Sequence, residues 1–188
     1  MRTHLRPALA LLLGFSILTG VVYPLVVTGI AQLALPKQAA GSLVTENGKV
    51  IGSTLIGQAF ASEKYFQGRP SAAGNGYDAA ASSGSNLGPT SAKLQGQIKE
   101  RLTALQATNP GVTVPGELVY ASASGLDPDV SPAAAAFQIP RVAKARGLSH
   151  EQLNELIVKN THKRSLGFLG EPTVNVLALN RALDTLKP

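Results

Sequence analysis

Cysteine and tryptophan are both missing from the 188 residues. Without a thiol there is no disulfide, thiolate nucleophile or cysteine metal ligand, and the redox compartment has to be inferred from other features. Histidine occurs only as His4, His150 and His162, with no His-Glu-x-x-His spacing for zinc, so all three are expected on a solvated surface. Gly-x-Ser-x-Gly is absent too, which removes the usual nucleophile elbow. Gly48-Lys49 is no phosphate loop, because no glycine lies five positions before Gly48 and Val50 replaces the metal-binding hydroxyl. Nucleic-acid binding is not expected: Lys and Arg total 17 against 11 acids, but they scatter, and beyond the first apolar run the balance is only 15 against 11.

Charge is also missing from a long early segment. Between Pro7 and Pro36 no residue is charged, and Ala8 to Leu35 is dominated by Leu, Val, Ile, Ala and Gly. A bilayer core needs ~20 apolar residues, and a helix lets one segment satisfy its own backbone there. A cleaved signal would have an apolar region of ~7–15 residues, so this segment reads as a retained anchor even though Gly29-Ile30-Ala31 has the small residues of a cleavage site. Pro24 is expected to kink it, and Gly14, Gly20 and Gly29 leave room for a second helix. Arg2 and Arg6 place the short N-terminus in the cytoplasm by the positive-inside rule, with Lys37 and Lys49 a weak counterweight. The expected organisation is a cytoplasmic N-terminus over 1–7, a transmembrane helix over 8–35 and an extracytoplasmic soluble domain over 36–188.

The soluble part reads as α+β, with helices packed on a small sheet. Asn47-Gly48 between Leu43–Glu46 and Lys49–Ser53 is a hairpin signal. Residues 68–90 are poor in large apolar groups and form a long loop, of a length that tends to be functional or disordered. Thr90 or Ser91 caps a helix to about Ala107 carrying Leu94, Ile98, Leu102 and Leu105 on one side. Ser131-Pro132 opens a helical region interrupted at Pro140, resuming at Arg141 and stopping at Gly147. Ser149 with Gln152 is a capping box for a helix burying Leu153, Leu156 and Ile157 and ending near Asn160. Ser62-Glu63-Lys64 reads as a helix start. After a turn at Gly170-Glu171-Pro172, Thr173–Val176 is expected as a strand, followed by a final helix with Leu179, Leu183 and Leu186.

The chemistry in this part is sparse. Ser82, Ser83, Ser85, Ser122 and Ser124 have no evident base and read as turn and cap residues, which leaves a membrane-anchored envelope hydrolase using a loop serine as the alternative enzymatic reading. Asp127-Pro128-Asp129 offers two carboxylates to a cation, or simply a turn ahead of the Ser131 cap.

Six ordered strings carry a family resemblance that runs from the anchor to about Leu183. They are Gly52–Gln58, Tyr65–Ser71, Tyr77-Asp78 with Ser83–Pro89, Ala121–Pro128, Arg141–Ala143 and Gly170–Leu177. Together they resemble the C subunit of the Kdp-type potassium-transporting P-type ATPase; Asp129 departs from the pattern, standing where a histidine is expected. The resemblance implies an accessory subunit of a high-affinity potassium uptake complex in the bacterial inner membrane, with a potassium-channel-like subunit and an ATP-hydrolysing subunit as partners. It implies no cofactor bound directly by this chain, ATP and potassium being handled by the complex. It also implies a role in assembly and as a catalytic chaperone that raises the ATP affinity of the hydrolysing subunit. A domain outside the membrane reaches cytoplasmic nucleotide only through allosteric coupling, so packing on the channel-like subunit and capping the potassium entry side is the preferred mechanism. Partner-contact candidates within the matched strings are Arg69, Tyr77, Asp78, Asn86, Asp127 and Asn175. A direct nucleotide contact would instead use Gln58, Ser83 and Ser85 with Gly84.

Overall fold

The computed structural model describes residues 2–186, which fall into two compact units dividing between Ile51 and Gly52. In the first, α1 (Arg2–Ile17) and α2 (Tyr23–Ala34) are joined by a π-helical turn, Leu18–Val22. Thr3–Ala34 is long and apolar enough to cross a membrane, and none of its most apolar stretch is buried within the protein. Thirty-two residues rise about 48 Å as a helix, which exceeds a hydrocarbon core of ~30 Å. The disturbance expected at Pro24 appears just before it. Pro24 has no N–H to donate, and the N–H of Tyr23 reaches Leu18 five residues back, so the ladder widens by one residue and continues.

The same unit continues through α3 (Pro36–Ala39) to β1 (Leu43–Glu46), which forms a hairpin with β2 (Lys49–Ser53), and the division falls within β2. Asn47 and Gly48 both take positive φ, 50° and 76°, as the Asn-Gly pair implied.

Among its described residues the second unit has five α-helices and a three-stranded antiparallel sheet. After a segment without regular structure come α4 (Ala92–Thr108), β3 (Asp129–Val130), α5 (Pro132–Phe137), α6 (Ile139–Arg146), α7 (His150–Lys159), β4 (Thr161–His162), β5 (Thr173–Asn175) and α8 (Val176–Asp184). The strand order is β3-β5-β4, with Val174 opposite both Val130 and Thr161, and α5 and α8 lie against the central strand. Phe66, Val130, Val142, Leu153, Val174, Leu179 and Leu183 fill the core. The caps fall where the sequence put them. Ser91 caps α4, Ser131 caps α5, and Ser149 with Gln152 forms a complete capping box on α7. Gly147 closes α6 at φ 68°.

Four details differ from the sequence reading. The break in the second helical region lies at Gln138 and not at Pro140, because Pro140 sits in the first turn of α6, where its missing N–H is harmless. Val176 starts α8 instead of ending the strand, because Asn175 turns its side chain to accept from Ala178 N as a cap. Ser62–Lys64 is a turn, with Ser62 Oγ accepting from Lys64 N, and no helix follows. The leucine stripe of α4 is only half covered, and that helix buries no residue completely.

Three polar side chains satisfy backbone groups of the segment 63–67. Asn180, 2% exposed, accepts from Phe66 N and donates to Phe66 O (2.8 and 2.9 Å). Gln138 does the same for Gln67, at 2.7 and 2.9 Å. Arg141 donates to Glu63 O and Tyr65 O; burial pulls its guanidinium below the usual arginine value, and the Glu63 carboxylate opposes that. Replacing Asn180 by leucine keeps the volume and strands two buried backbone groups. Asn180→Leu is expected to destabilise the full-length chain by about 3 kcal/mol, read as a lower denaturation midpoint in detergent; an unchanged midpoint would mean that Phe66 is held by packing alone.

Candidate functional site

Residues from five of the six strings meet around Asp127. Its Oδ2 accepts from Arg69 Nη1 at 2.9 Å, and its Oδ1 accepts from the Asp129 N–H at 3.1 Å. Asp129 Oδ1 accepts from Asn175 Nδ2, which also donates to Thr54 O. Val176 N donates to Pro128 O, and Gly57 N to Leu126 O. At Gly57 a Cβ would lie 2.5 Å from the Asp127 carbonyl oxygen, so the contact is open only to glycine.

Tyr77 closes the other side. Its hydroxyl donates to Arg69 O at 2.5 Å and its N–H to Ser71 Oγ, whose own proton goes to Gly125 O. Tyr77 has φ 57°, a conformation that costs a bulky residue of order 1–3 kcal/mol and persists where its surroundings hold it. Burial raises the Tyr77 hydroxyl above the usual tyrosine pKa, the Asp127 carboxylate raises it further, and the Arg69 guanidinium opposes both. Asp78 accepts from Ala80 N as a turn residue.

The serine-rich stretch is ordered by the loop 122–125. Ser83 N and Ser82 Oγ both donate to Ser124 O, and Ser83 Oγ donates to Gly84 O. Gly125, at φ 67°, lies so close to Ala73 N and Ser83 O that a Cβ would sit 2.6 Å from each. Gln58 packs elsewhere, against Gly52. Asn86 is exposed at φ 52°, and Ser85 lies on the rim of a polar cleft with Asn75, Lys93 and Arg101. The trio suggested for nucleotide, Gln58, Ser83 and Ser85, thus has separate neighbours, whereas Arg69, Tyr77, Asp127 and Asn175 form one network.

A second cleft of about 330 Å³ opens beside that network, lined by Phe60, Arg69, Tyr77, Arg101, Leu105 and Leu118. Arg101 Nη1 is committed to Val119 O, and Arg69 Nε is buried with no hydrogen-bond partner. Among the described residues no three His, Cys, Asp or Glu side chains gather to hold a metal. The carboxylates of Asp127 and Asp129 are spanned by a guanidinium and an amide, which fits the turn reading better than a cation site. Among the described residues no hydrogen bond joins a loop serine to a histidine, and the Ser131 hydroxyl, which donates to the Glu117 carboxylate, serves as the cap of α5.

The family comparison decides what this arrangement belongs to. Residues 5–185 match the family described as KdpC: K+-transporting ATPase, c chain. The chain belongs to the KdpC family. It is similar to the potassium-transporting ATPase KdpC subunit of Caulobacter vibrioides, 57% identical over 189 residues, covering 100% of this chain and 96% of the relative. The KdpC subunits of Rhodopseudomonas palustris strain BisB18 and Bradyrhizobium diazoefficiens are 53% and 54% identical, with coverage of 98% or more on both sides. For this KdpC-family chain, sequence reasoning passed over Gly57, Ser71 and Gly125 at the Asp127 network, and Gln138 and Asn180 where they hold Gln67 and Phe66. Gly57, Ser71 and Gly125 lie within the strings that carried the resemblance, and Gln138 is a lone amide after an alanine run.

The raised Tyr77 pKa fixes the sign of a pH effect. The folded state holds the phenol proton more tightly than the unfolded chain, so the corresponding stability is complete below about pH 10 and is lost as pH rises through the folded value. Relative to Tyr77→Phe, the wild-type chain should therefore lose stability more steeply above about pH 10, and an ultraviolet titration should show one late phenolate step that the variant lacks. Identical alkaline profiles would show that Tyr77 titrates as a solvated phenol.

Proposed function

We propose that this chain is the accessory, non-catalytic subunit of a high-affinity ATP-driven potassium uptake complex. One helix holds it across the bacterial inner membrane, with the N-terminus in the cytoplasm and the soluble domain in the periplasm. There it supports assembly with a channel-like subunit and raises the ATP affinity of the hydrolysing subunit. The observation that carries the reading is family membership over 181 of the residues, 5–185, together with an apolar helix that the protein itself leaves uncovered. Arg2 and Arg6 give the orientation through the positive-inside rule.

On that topology nucleotide and soluble domain lie on opposite sides of the bilayer, so the effect on ATP affinity is a coupling free energy transmitted through the membrane subunits. ATP and potassium are bound by the complex and not by this chain. The Asp127 network then holds the shape of a partner-facing domain, and Arg69, Tyr77, Asp127 and Asn175 act on partners through that shape. The envelope-hydrolase reading lacks support, since the Ser82 and Ser83 hydroxyls donate to backbone carbonyls, of Ser124 and Gly84.

The missing cysteines make the orientation easy to test. Gln106→Cys places one thiol on the exposed side of α4, and a membrane-impermeant maleimide should label it in intact spheroplasts as fully as in lysed membranes. Labelling that requires lysis would invert the topology. The affinity role has its own test: purified complex lacking this subunit should show an ATP KM raised several-fold with a smaller change in kcat, a shift of about 1 kcal/mol in coupling. An unchanged KM would leave assembly as the sole role.

A further inference from the structure

The arm between β4 and β5 ends in an apolar tip that is left exposed among the described residues of the second unit. Leu166 is 82% exposed, Phe168 68% and Leu169 51%, three large apolar side chains within four residues. Elsewhere in the second unit such residues stand singly or, as Leu55 and Ile56, in a pair. Solvating three together is unfavourable, and clusters of this kind mark contact sites.

The tip is also rigid. Ser165 and Leu169 exchange two backbone hydrogen bonds of 2.9 Å, Gly167 N donates to Arg164 O and Phe168 N to Ser165 O. The Arg164–Glu171 ion pair, at 2.5 Å, closes the neck. Leu166 is held at φ 54° and Gly167 at 83°, a left-handed pair that turns the chain and sets the apolar side chains. The N–H groups of Ser165, Gly167, Phe168 and Leu169 are bonded within the tip, so these donors stay satisfied when it enters an apolar environment.

We propose that this tip seats in an apolar cleft of another subunit of the same ATPase complex, with a carboxylate at the cleft's rim facing Lys163. The inference rests on the accessory-subunit reading and names its contact. A protein cleft fits the observations better than lipid. A fluid bilayer gains nothing from a preset loop shape, whereas a shaped cleft binds a preorganised loop without further ordering cost. Glu171 neutralises Arg164, which leaves Lys163 as the remaining full charge of the arm, far fewer than the cations that hold a segment on an anionic membrane. The segment from Lys163 to Pro172 also has no tyrosine, the interfacial anchor this tryptophan-free chain has available.

The test uses the full-length chain co-expressed with the other subunits of its complex and purified in mild detergent. The triple variant Leu166→Ser, Phe168→Ser, Leu169→Ser should keep the wild-type melting temperature and lose at least tenfold in co-purified subunits. Recovery at the wild-type level would overturn the inference while leaving the accessory reading standing. Failure of the wild-type chain to co-purify would overturn both. A photo-crosslinking amino acid at position 168 of the otherwise unaltered chain gives a readout independent of the variant's folding. Adducts to a transport subunit of the complex support the proposal; adducts to lipid alone, or to a second copy of this chain, overturn it.

Discussion

The second unit depends on side-chain amides replacing the hydrogen bonds that a sheet would have supplied. From Thr54 to Thr90 no strand or helix forms, yet Phe66 within that stretch is fully buried. A buried backbone N–H or C=O without a partner costs ~1–3 kcal/mol, so a buried strap needs partners on both sides. Asn180 gives both its amide atoms to Phe66, and Gln138 gives both of its own to Gln67. Each mimics a neighbouring strand for one residue. Arg141 and Arg146 continue the pattern onto the carbonyls of Glu63, Tyr65 and Lys64, and the Arg146 guanidinium lies 4.7 Å from the centre of the Tyr65 ring.

The Asp127 network applies the same device to the next stretch of loop. Arg69, Tyr77, Ser71 and Asn175 each spend their polar groups on backbone atoms or on one another. Arg69 and Tyr77 also line the neighbouring cleft, but their bonds hold the loop together. Arg69 Nε is buried without a partner. A domain built this way presents a fixed surface, which is what a subunit acting through contact requires.

Much of this was legible from local rules, and the remainder fails for physical reasons. The caps at Ser91, Ser131 and Ser149, the stop at Gly147 and the Asn-Gly hairpin are set by neighbours within four residues, and each forms where those neighbours put it. The strands β3 and β4 have two residues each, too short for any alternation to register. Pro140 misled because proline breaks a helix in its interior and begins one in its first turn, a distinction that hangs on the tertiary bonds of Gln138. The burial of Gln138 and Asn180 is likewise invisible in sequence, since a polar residue on a helix reads as solvated until its partner loop is known. Arg69, Tyr77, Asp127 and Asn175 were found as contact-capable residues, but the bond from Arg69 to Asp127 spans 58 positions and that from Asn175 to Thr54 spans 121.

Rigidity also limits how a coupling of the proposed kind can run. Allosteric transmission needs an element with two arrangements of similar free energy, and typical couplings amount to ~1–3 kcal/mol. Shifting the 65–67 strap would break at least four bonds to Asn180 and Gln138 and strand buried groups at ~1–3 kcal/mol each, more than such a coupling can supply. The network around Asp127 is bound as densely. The arm beyond His162 is different, since its neck is closed by an exposed ion pair, and such a pair contributes ~0–1 kcal/mol. A displacement of that arm relative to its own sheet lies within reach of a coupling free energy, whereas rearrangement of the strap does not. Any signal passing through the second unit therefore moves it as one body or moves the arm.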